Sequence, residues 1–347
     1  MKLKLLILVL LITAQHGYSQ SNQVHIGQTT IIFQDSVRNR KLVTEIWYPS
    51  ATKYAAADSN LQIPFKRELT VRNGQPLQQR LPLIMLSHGS GGGRLTMEWL
   101  AEGLVKNGYM VAAVDHWGNT MDNSIAAEFV RPWQRPKDIS FVLSGLLNND
   151  QFKQIIDAKR IGMIGFSLGG YTTLALAGAQ LDLNTLLNYY KTPAGHEEIT
   201  LPEMPGIADL IFKDSASLLK SYNDAGELKD IRFKAFFAIA PSMGAGFANI
   251  TNAVKITGPI TILGFSNDRM TPVKTNAMHY HQLIKHSALI ILPGKVGHYV
   301  MLGEAIEGLK KELPVYFADD PSVNRGQVHD RVLKEALGFF NQNIQHR

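Results

Sequence analysis

Cysteine is absent from the 347 residues of the chain. That absence excludes a thiol nucleophile, a thiolate metal site, redox exchange and a lipidated N-terminal cysteine. It leaves stability to a hydrophobic core, which a chain of this length can bury without cross-links. Apolar runs of membrane-spanning length are also lacking. Clustered basic residues are missing too: the formal charge of +6 includes Lys2 and Lys4 and is otherwise spread along the sequence. Nucleic acid is therefore excluded as the expected partner, since phosphate binding needs grouped Lys and Arg. What the N-terminus does hold is Met1-Lys2-Leu3-Lys4 followed by the apolar run Leu5 to Ile12, the charged and short apolar parts of a secretory signal. The small-x-small pattern Gly17-Tyr18-Ser19 puts cleavage before Gln20. Residues 1–19 are expected to be a signal peptide, and residues 20–347 an exported domain, periplasmic or secreted, with no stable membrane span.

Gln23 to Phe33 and Lys41 to Tyr48 are rich in β-branched and aromatic residues and flank a polar turn, which predicts an antiparallel hairpin. Pro49 to Arg80 carries no sustained period and reads as a surface excursion. From Leu81 onward short apolar runs alternate with helical patterns, as in a mostly parallel sheet covered by helices on both faces. The strands fall at Leu83 to Ser87, Tyr109 to Val114, Arg160 to Phe166, Phe233 to Ala240, Ile260 to Phe265 and Leu289 to Leu292. Helical patterns fall at Leu95 to Lys106, Pro136 to Leu147, Leu168 to Ala179, Pro272 to Lys285 and Asp330 to Asn343. One stretch, about 180–230, breaks the alternation: it contains no strand-like run and several helical ones, and reads as an inserted lid. In it Ile207, Ile211, Leu218 and Leu219 share one face, which could cover an apolar pocket or pack on the main domain.

The chemistry centres on Gly165-Phe166-Ser167-Leu168-Gly169. An apolar strand ends at the serine and an apolar helix starts directly after it. The two glycines remove side chains that would collide in so sharp a turn, leaving the Ser167 hydroxyl exposed above the sheet. A serine hydroxyl is a weak nucleophile at neutral pH; it needs an imidazole to take its proton and a third group to hold that imidazole. The oxyanion formed on attack needs two fixed amide donors. The N–H of Leu168, at a helix N-terminus, is one candidate, and the N–H of Ser90 in the strand-end loop Ser87-His88-Gly89-Ser90-Gly91-Gly92-Gly93 is the other. That loop lacks the following Gly-Lys-Ser/Thr of a phosphate-binding loop.

Asp268, in Ser266-Asn267-Asp268-Arg269-Met270-Thr271-Pro272, follows a strand on the edge of an open sheet where active sites assemble. Thr271 and Pro272 there read as the start of a helix. Asp115 lies on the same edge but precedes the nucleophile. For the base, His298 in Pro293-Gly294-Lys295-Val296-Gly297-His298-Tyr299 follows the last core strand. His88 belongs to the oxyanion loop, His279, His281 and His286 to a helix, and His329 precedes the last helix. The spacing of His279 and His281 turns their rings to different helix faces and argues against a metal site.

Serine, acid and histidine thus stand in the chain order of the α/β-hydrolase fold. Further stretches resemble one branch of it, the predicted dienelactone hydrolases and the secreted or lipoprotein-associated platelet-activating factor acetylhydrolases. These are Glu45-Ile46-Trp47-Tyr48-Pro49, Ser87-His88-Gly89, Ala113-Val114-Asp115-His116, Gly118-Asn119-Thr120, Arg135-Pro136-Lys137-Asp138-Ile139, Gly165 to Gly170, and Gly297-His298. The resemblance implies esterase or lipase-like cleavage of a small-molecule or lipid carboxylic ester, with no metal and no organic cofactor. It departs from true dienelactone hydrolases, whose nucleophile is cysteine, so their substrate does not carry over. Two alternatives stay open: a serine peptidase or amidase on the same fold, and a non-catalytic ligand-binding homologue.

Overall fold

The computed structural model describes residues 24–55 and 64–345; the segment 1–19 read as a signal peptide lies outside them. The chain opens with β1 (His25–Asp35) and β2 (Arg40–Ser50), an antiparallel hairpin in full register from His25↔Ser50 to Asp35↔Arg40. Asp35 closes the turn by accepting the backbone N–H of Val37 and Arg38. A short β3 (Thr70–Arg72) pairs in parallel with β1. It falls inside the stretch read as a surface excursion, because three residues are too few to display a period.

The core alternation follows: β4 (Leu81–Ser87), α1 (Glu98–Lys106), β5 (Met110–Val114), α2 (Ala126–Phe129), α3 (Gln134–Asn148), β6 (Ile156–Phe166) and α4 (Leu168–Ala177). Then come α5 (Leu183–Tyr190), α6 (Pro193–Glu198), α7 (Ile207–Lys213), α8 (Ser215–Asn223) and β7 (Phe233–Ile239). The chain closes with β8 (Ile260–Phe265), α9 (Ala277–Leu283), β9 (Ser287–Leu292), α10 (Glu307–Glu312), α11 (Pro314–Phe317) and α12 (Arg325–Phe340). The described strands form one nine-stranded sheet in the order β3-β1-β2-β5-β4-β6-β7-β8-β9, parallel from β5 to β9.

Side chains of each buried strand alternate between two cores, as the two-residue repeat demands. Leu83 and Met85 of β4, with Ile161 and Met163 of β6, face the core shared with α3, α4 and the helices α5–α8. Ile84, Leu86, Ile164 and Phe166 face the other, with α1 and α12. Helix α4 is buried along its whole length; its residues are mostly apolar or small, and its two threonine hydroxyls donate to the Leu168 and Gly169 carbonyls.

Three helix starts differ from the sequence pattern by three residues or more. Helix α1 starts at Glu98, not Leu95, because Thr96 accepts the N–H of Gly93 in a preceding turn. Helix α12 starts at Arg325, capped by Asn324, so His329 lies within the helix. Between Pro272 and Asn276 the chain makes turns, and α9 begins only at Ala277. Among the described residues no helix is long and apolar enough to cross a membrane.

Candidate active site

The parallel strands end in step: Ser87 of β4 pairs with Gly165 of β6, which pairs with Ala238 of β7. Loops leaving β4, β6, β8 and β9 therefore emerge along one edge and bring His88–Ser90, Ser167, Asp268 and His298 together.

Ser167 sits in the turn between β6 and α4 with φ +56° and ψ −118°, a backbone state that costs a non-glycine residue energy. The turn is tight enough that a Cβ on Gly165 would stand 2.1 Å from the Gly169 carbonyl oxygen. One on Gly169 would stand 2.0 Å from the carbonyl oxygen of Ser87. The strained residue is held by its N–H donating to the Ile239 carbonyl at 2.9 Å, and by its own carbonyl accepting from Ser242.

His298 Nε2 lies 2.9 Å from Ser167 Oγ, and its Nδ1 lies 2.7 Å from Asp268 Oδ2. Burial would raise the Asp268 carboxyl. The adjacent His298 ring and the hydrogen bonds from His298 and Thr271 outweigh it and hold the carboxyl below its ordinary value. Asp268 Oδ1 accepts the N–H groups of Met270 and Thr271, and Oδ2 accepts the Thr271 hydroxyl at 2.8 Å. Thr271 thus closes an Asx-type turn around the acid, where the sequence pattern assigned it a helix cap; the Asp-x-x-Thr spacing carried that signal. The His298 turn is braced from behind. His329 Nε2 bonds to the Val300 carbonyl at 2.7 Å, and its ring stacks on Trp99 at 3.7 Å. Trp99 in turn donates to the Met301 carbonyl. Burial brings His329 down to about 4, so its ring is neutral at pH 7.

Ser90 and Leu168 line the same cavity as Ser167 and His298. Among the described residues neither backbone N–H meets an acceptor. The peptide carrying the Ser90 N–H is fixed through its carbonyl, Gly89 O, which bonds to His88 Nδ1 at 2.6 Å and accepts from the N–H of Gly92. His88 Nε2 accepts the N–H of His116, so the proton of its neutral ring sits on Nδ1 and is donated to Gly89. Behind it, the fully buried Arg135 donates to the His88 carbonyl and to Asn119 Oδ1. Burial depresses Arg135 to about 9, which still leaves it charged at neutral pH. His116 bridges Ser87 Oγ at 2.9 Å and Asp138 Oδ2 at 3.1 Å, and Asp138 also takes Arg40. This network absorbs stretches that the sequence offered only as resemblance.

The remaining sequence candidates have other partners, although Asp115 also lines the cavity over Ser167. Asp115 pairs with Arg94. His279 bonds to the Phe247 carbonyl and His281 to Ser287, so those two rings do turn different ways.

The cavity over Ser167 has a volume of about 660 Å³. Ile207 and Ile211 of α7 and Leu218 of α8 line it, while Leu219 packs half-buried beside them. A contact that the sequence gave no sign of joins two of its lining residues: Tyr299, next to His298, donates to Glu203 at 2.7 Å.

Over 94% of its length this chain superposes on 92% of a ferulic acid esterase from Streptomyces cinnamoneus, with a TM-score of 0.59 and 19% identity. The protein has the α/β-hydrolase fold. Within this chain, residues 69–212 match the dienelactone hydrolase family, a span that includes Ser90 and Ser167. Cutinase est1 of Thermobifida alba is 29% identical over 131 residues, 37% of this chain and 41% of that protein. Cutinase 2 of Thermobifida cellulosilytica is 26% identical over 106 residues, 30% of this chain and 37% of the cutinase. The matched segments thus span about two fifths of these relatives' length.

Proposed function

We propose that this α/β-hydrolase is an exported serine esterase that cleaves carboxylic esters through an acyl-enzyme. The observation that carries the proposal is the hydrogen-bond chain Ser167 Oγ, His298 Nε2, His298 Nδ1 and Asp268 Oδ2, with links of 2.9 and 2.7 Å. Ser167 attacks the ester carbonyl as His298 takes its proton; the developing imidazolium is held and stabilised by Asp268. The N–H groups of Leu168 and Ser90, which meet no acceptor among the described residues, receive the oxyanion where charge develops. Protonated His298 then delivers its proton to the leaving alcohol oxygen, and a water activated by the same ring hydrolyses the acyl-enzyme. The likeness to cutinases favours an ester over an amide as substrate. Export rests on the sequence of residues 1–19, and the helices α5–α8 are assigned the role of a lid.

The test is steady-state hydrolysis of a 4-nitrophenyl ester by the folded enzyme and by Ser167→Ala. Turnover should fall about 10⁴-fold or more. Hydrolysis at near the original rate by a folded Ser167→Ala protein would refute the assignment, and faster cleavage of a matched anilide than of the ester would favour the amidase alternative.

A further inference from the structure

The cavity over Ser167 differs in chemistry from one side to the other. Helices α5, α7 and α8 turn aliphatic side chains and one tyrosine ring into it: Leu183, Leu186, Leu187 and Tyr190 from α5, Ile207 and Ile211 from α7, and Leu218 from α8. Spacings of three and four residues place each set on one helical face. These helices are clamped to the main domain. Glu198 of α6 accepts from Thr275 and Asn276, and Trp133 donates to Ser221 of α8 at 3.2 Å. The charged lining residues Lys66, Arg94, Glu98, Asp115 and Asp122 come from other segments, and Arg94 and Asp115 neutralise each other. Of the two lining carboxylates within the 180–230 stretch, Glu198 is taken up by Thr275 and Asn276 and Glu203 by the Tyr299 hydroxyl.

Ser167 and the oxyanion donors fix where the ester carbonyl must lie, and His298 fixes the rest. The leaving alcohol oxygen has to sit within reach of His298 Nε2 to be protonated, so the alcohol extends beside Tyr299. There a run of aromatic rings forms a wall: Tyr299 meets Tyr316 at 5.0 Å, and Phe317, the next residue, meets Phe65 at 5.5 Å. The acyl group is then left with the largely aliphatic chamber beneath α5, α7 and α8.

Resting on the esterase function proposed above, we infer that the substrates are esters of medium- to long-chain aliphatic acids, with the acyl chain buried in this chamber. Even half of the 660 Å³ cavity holds about ten groups of water's size, at about 30 Å³ each. An acetyl methyl occupies one such place and leaves the rest empty. Burying each added methylene raises kcat/KM about fourfold until the chamber is full.

The experiment varies the two sides of the ester independently, below the micelle concentration of each substrate. With 4-nitrophenol as the fixed alcohol, kcat/KM should climb from acetyl through butyryl and hexanoyl to octanoyl or decanoyl. With acetate as the fixed acid, alkyl chains from methyl to octyl should change kcat/KM by less than about tenfold in total, against the fourfold step per buried methylene on the acyl side. A best rate with acetyl, or a flat acyl series, overturns the inference. A steep alcohol series beside a flat acyl one also overturns it, by placing the chain on the Tyr299 side. Leu187→Trp and Ile211→Trp, each partly filling the chamber, should move the acyl optimum several carbons shorter; an unmoved optimum in either folded variant counts against it. Labelling of Ser167 by a fluorophosphonate separates the two levels. A labelled enzyme that prefers acetyl loses this inference and keeps the esterase function, whereas an unlabelled one loses both.

Discussion

The sharpest structural constraint on the turn that carries Ser167, the proposed nucleophile, is the missing side chain at Gly169. A methyl group there would lie 2.0 Å from the carbonyl oxygen of Ser87 and 2.8 Å from that of His88, where 3.4 Å is an ordinary contact. Both neighbours are backbone atoms, so no rotamer change relieves the clash. Either the start of α4 or the strand end carrying His88, Gly89 and Ser90 must retreat by more than an ångström. Overpacking of this kind costs roughly 1–3 kcal/mol, so Gly169→Ala should lower the melting temperature by several degrees, at about 2–4 °C per kcal/mol. The same movement separates the Leu168 and Ser90 amides from the position of the oxyanion. Displacement by about 1 Å costs on the order of 10²-fold in rate, and the loss should fall on kcat more than on KM. Thermal denaturation and steady-state hydrolysis of 4-nitrophenyl butyrate measure the two effects. The control is Gly338→Ala in α12, where an added methyl meets nothing within 4 Å and stability should rise slightly. A Gly169→Ala enzyme with unaltered melting temperature and kcat would refute the packing account of this turn.

Asp268→Asn should leave the fold intact and lower kcat by about 10⁴-fold, because the amide no longer stabilises the imidazolium; a loss below tenfold would contradict its role. Arg135→Met removes the buried guanidinium from the His88 carbonyl and should lower kcat about 10–100-fold through a displaced Ser90 amide, with Arg135→Lys recovering part of it; loss confined to KM would contradict this. Stability should fall on acidification from about pH 6.5 to pH 4. Folded His329 stays neutral down to about 4 while the unfolded chain binds its proton near 6.5. Protons therefore favour the unfolded state across that window, by up to about 3 kcal/mol for this group. His88 and His116, likewise pushed down first by burial, act in the same direction. Melting temperatures from pH 7.5 to 4.5 should decline less steeply in His329→Gln than in the parent, and identical slopes would refute the assignment.

Much of the fold was legible because parallel strands buried on both faces write themselves as short apolar runs. The six core strands, the hairpin and the helical stretch near 180–230 all left that mark. Edge strand β3 did not, since three residues are too few to display a period. The positions of Ser167, Asp268 and His298 could be read from their place after strand ends, and the structure brings the three within hydrogen-bonding distance. What holds them was less visible. Thr271 looks like a helix cap in sequence because Thr-Pro usually starts a helix, yet its hydroxyl is spent on Asp268. Arg135 and His88 lie 47 positions apart, and no local pattern announces that one secures the other's carbonyl. The contact between Glu203 and Tyr299 joins residues 96 positions apart and is likewise a product of tertiary packing.

The central claim is that Ser167 is an activated nucleophile. Its most direct test is intact-mass analysis and peptide mapping after exposure of the mature protein to a fluorophosphonate. One phosphonyl adduct on the peptide containing Ser167, absent from Ser167→Ala and strongly slowed in a His298→Ala variant, is the predicted result. No adduct, or an adduct on a different residue, would contradict the account.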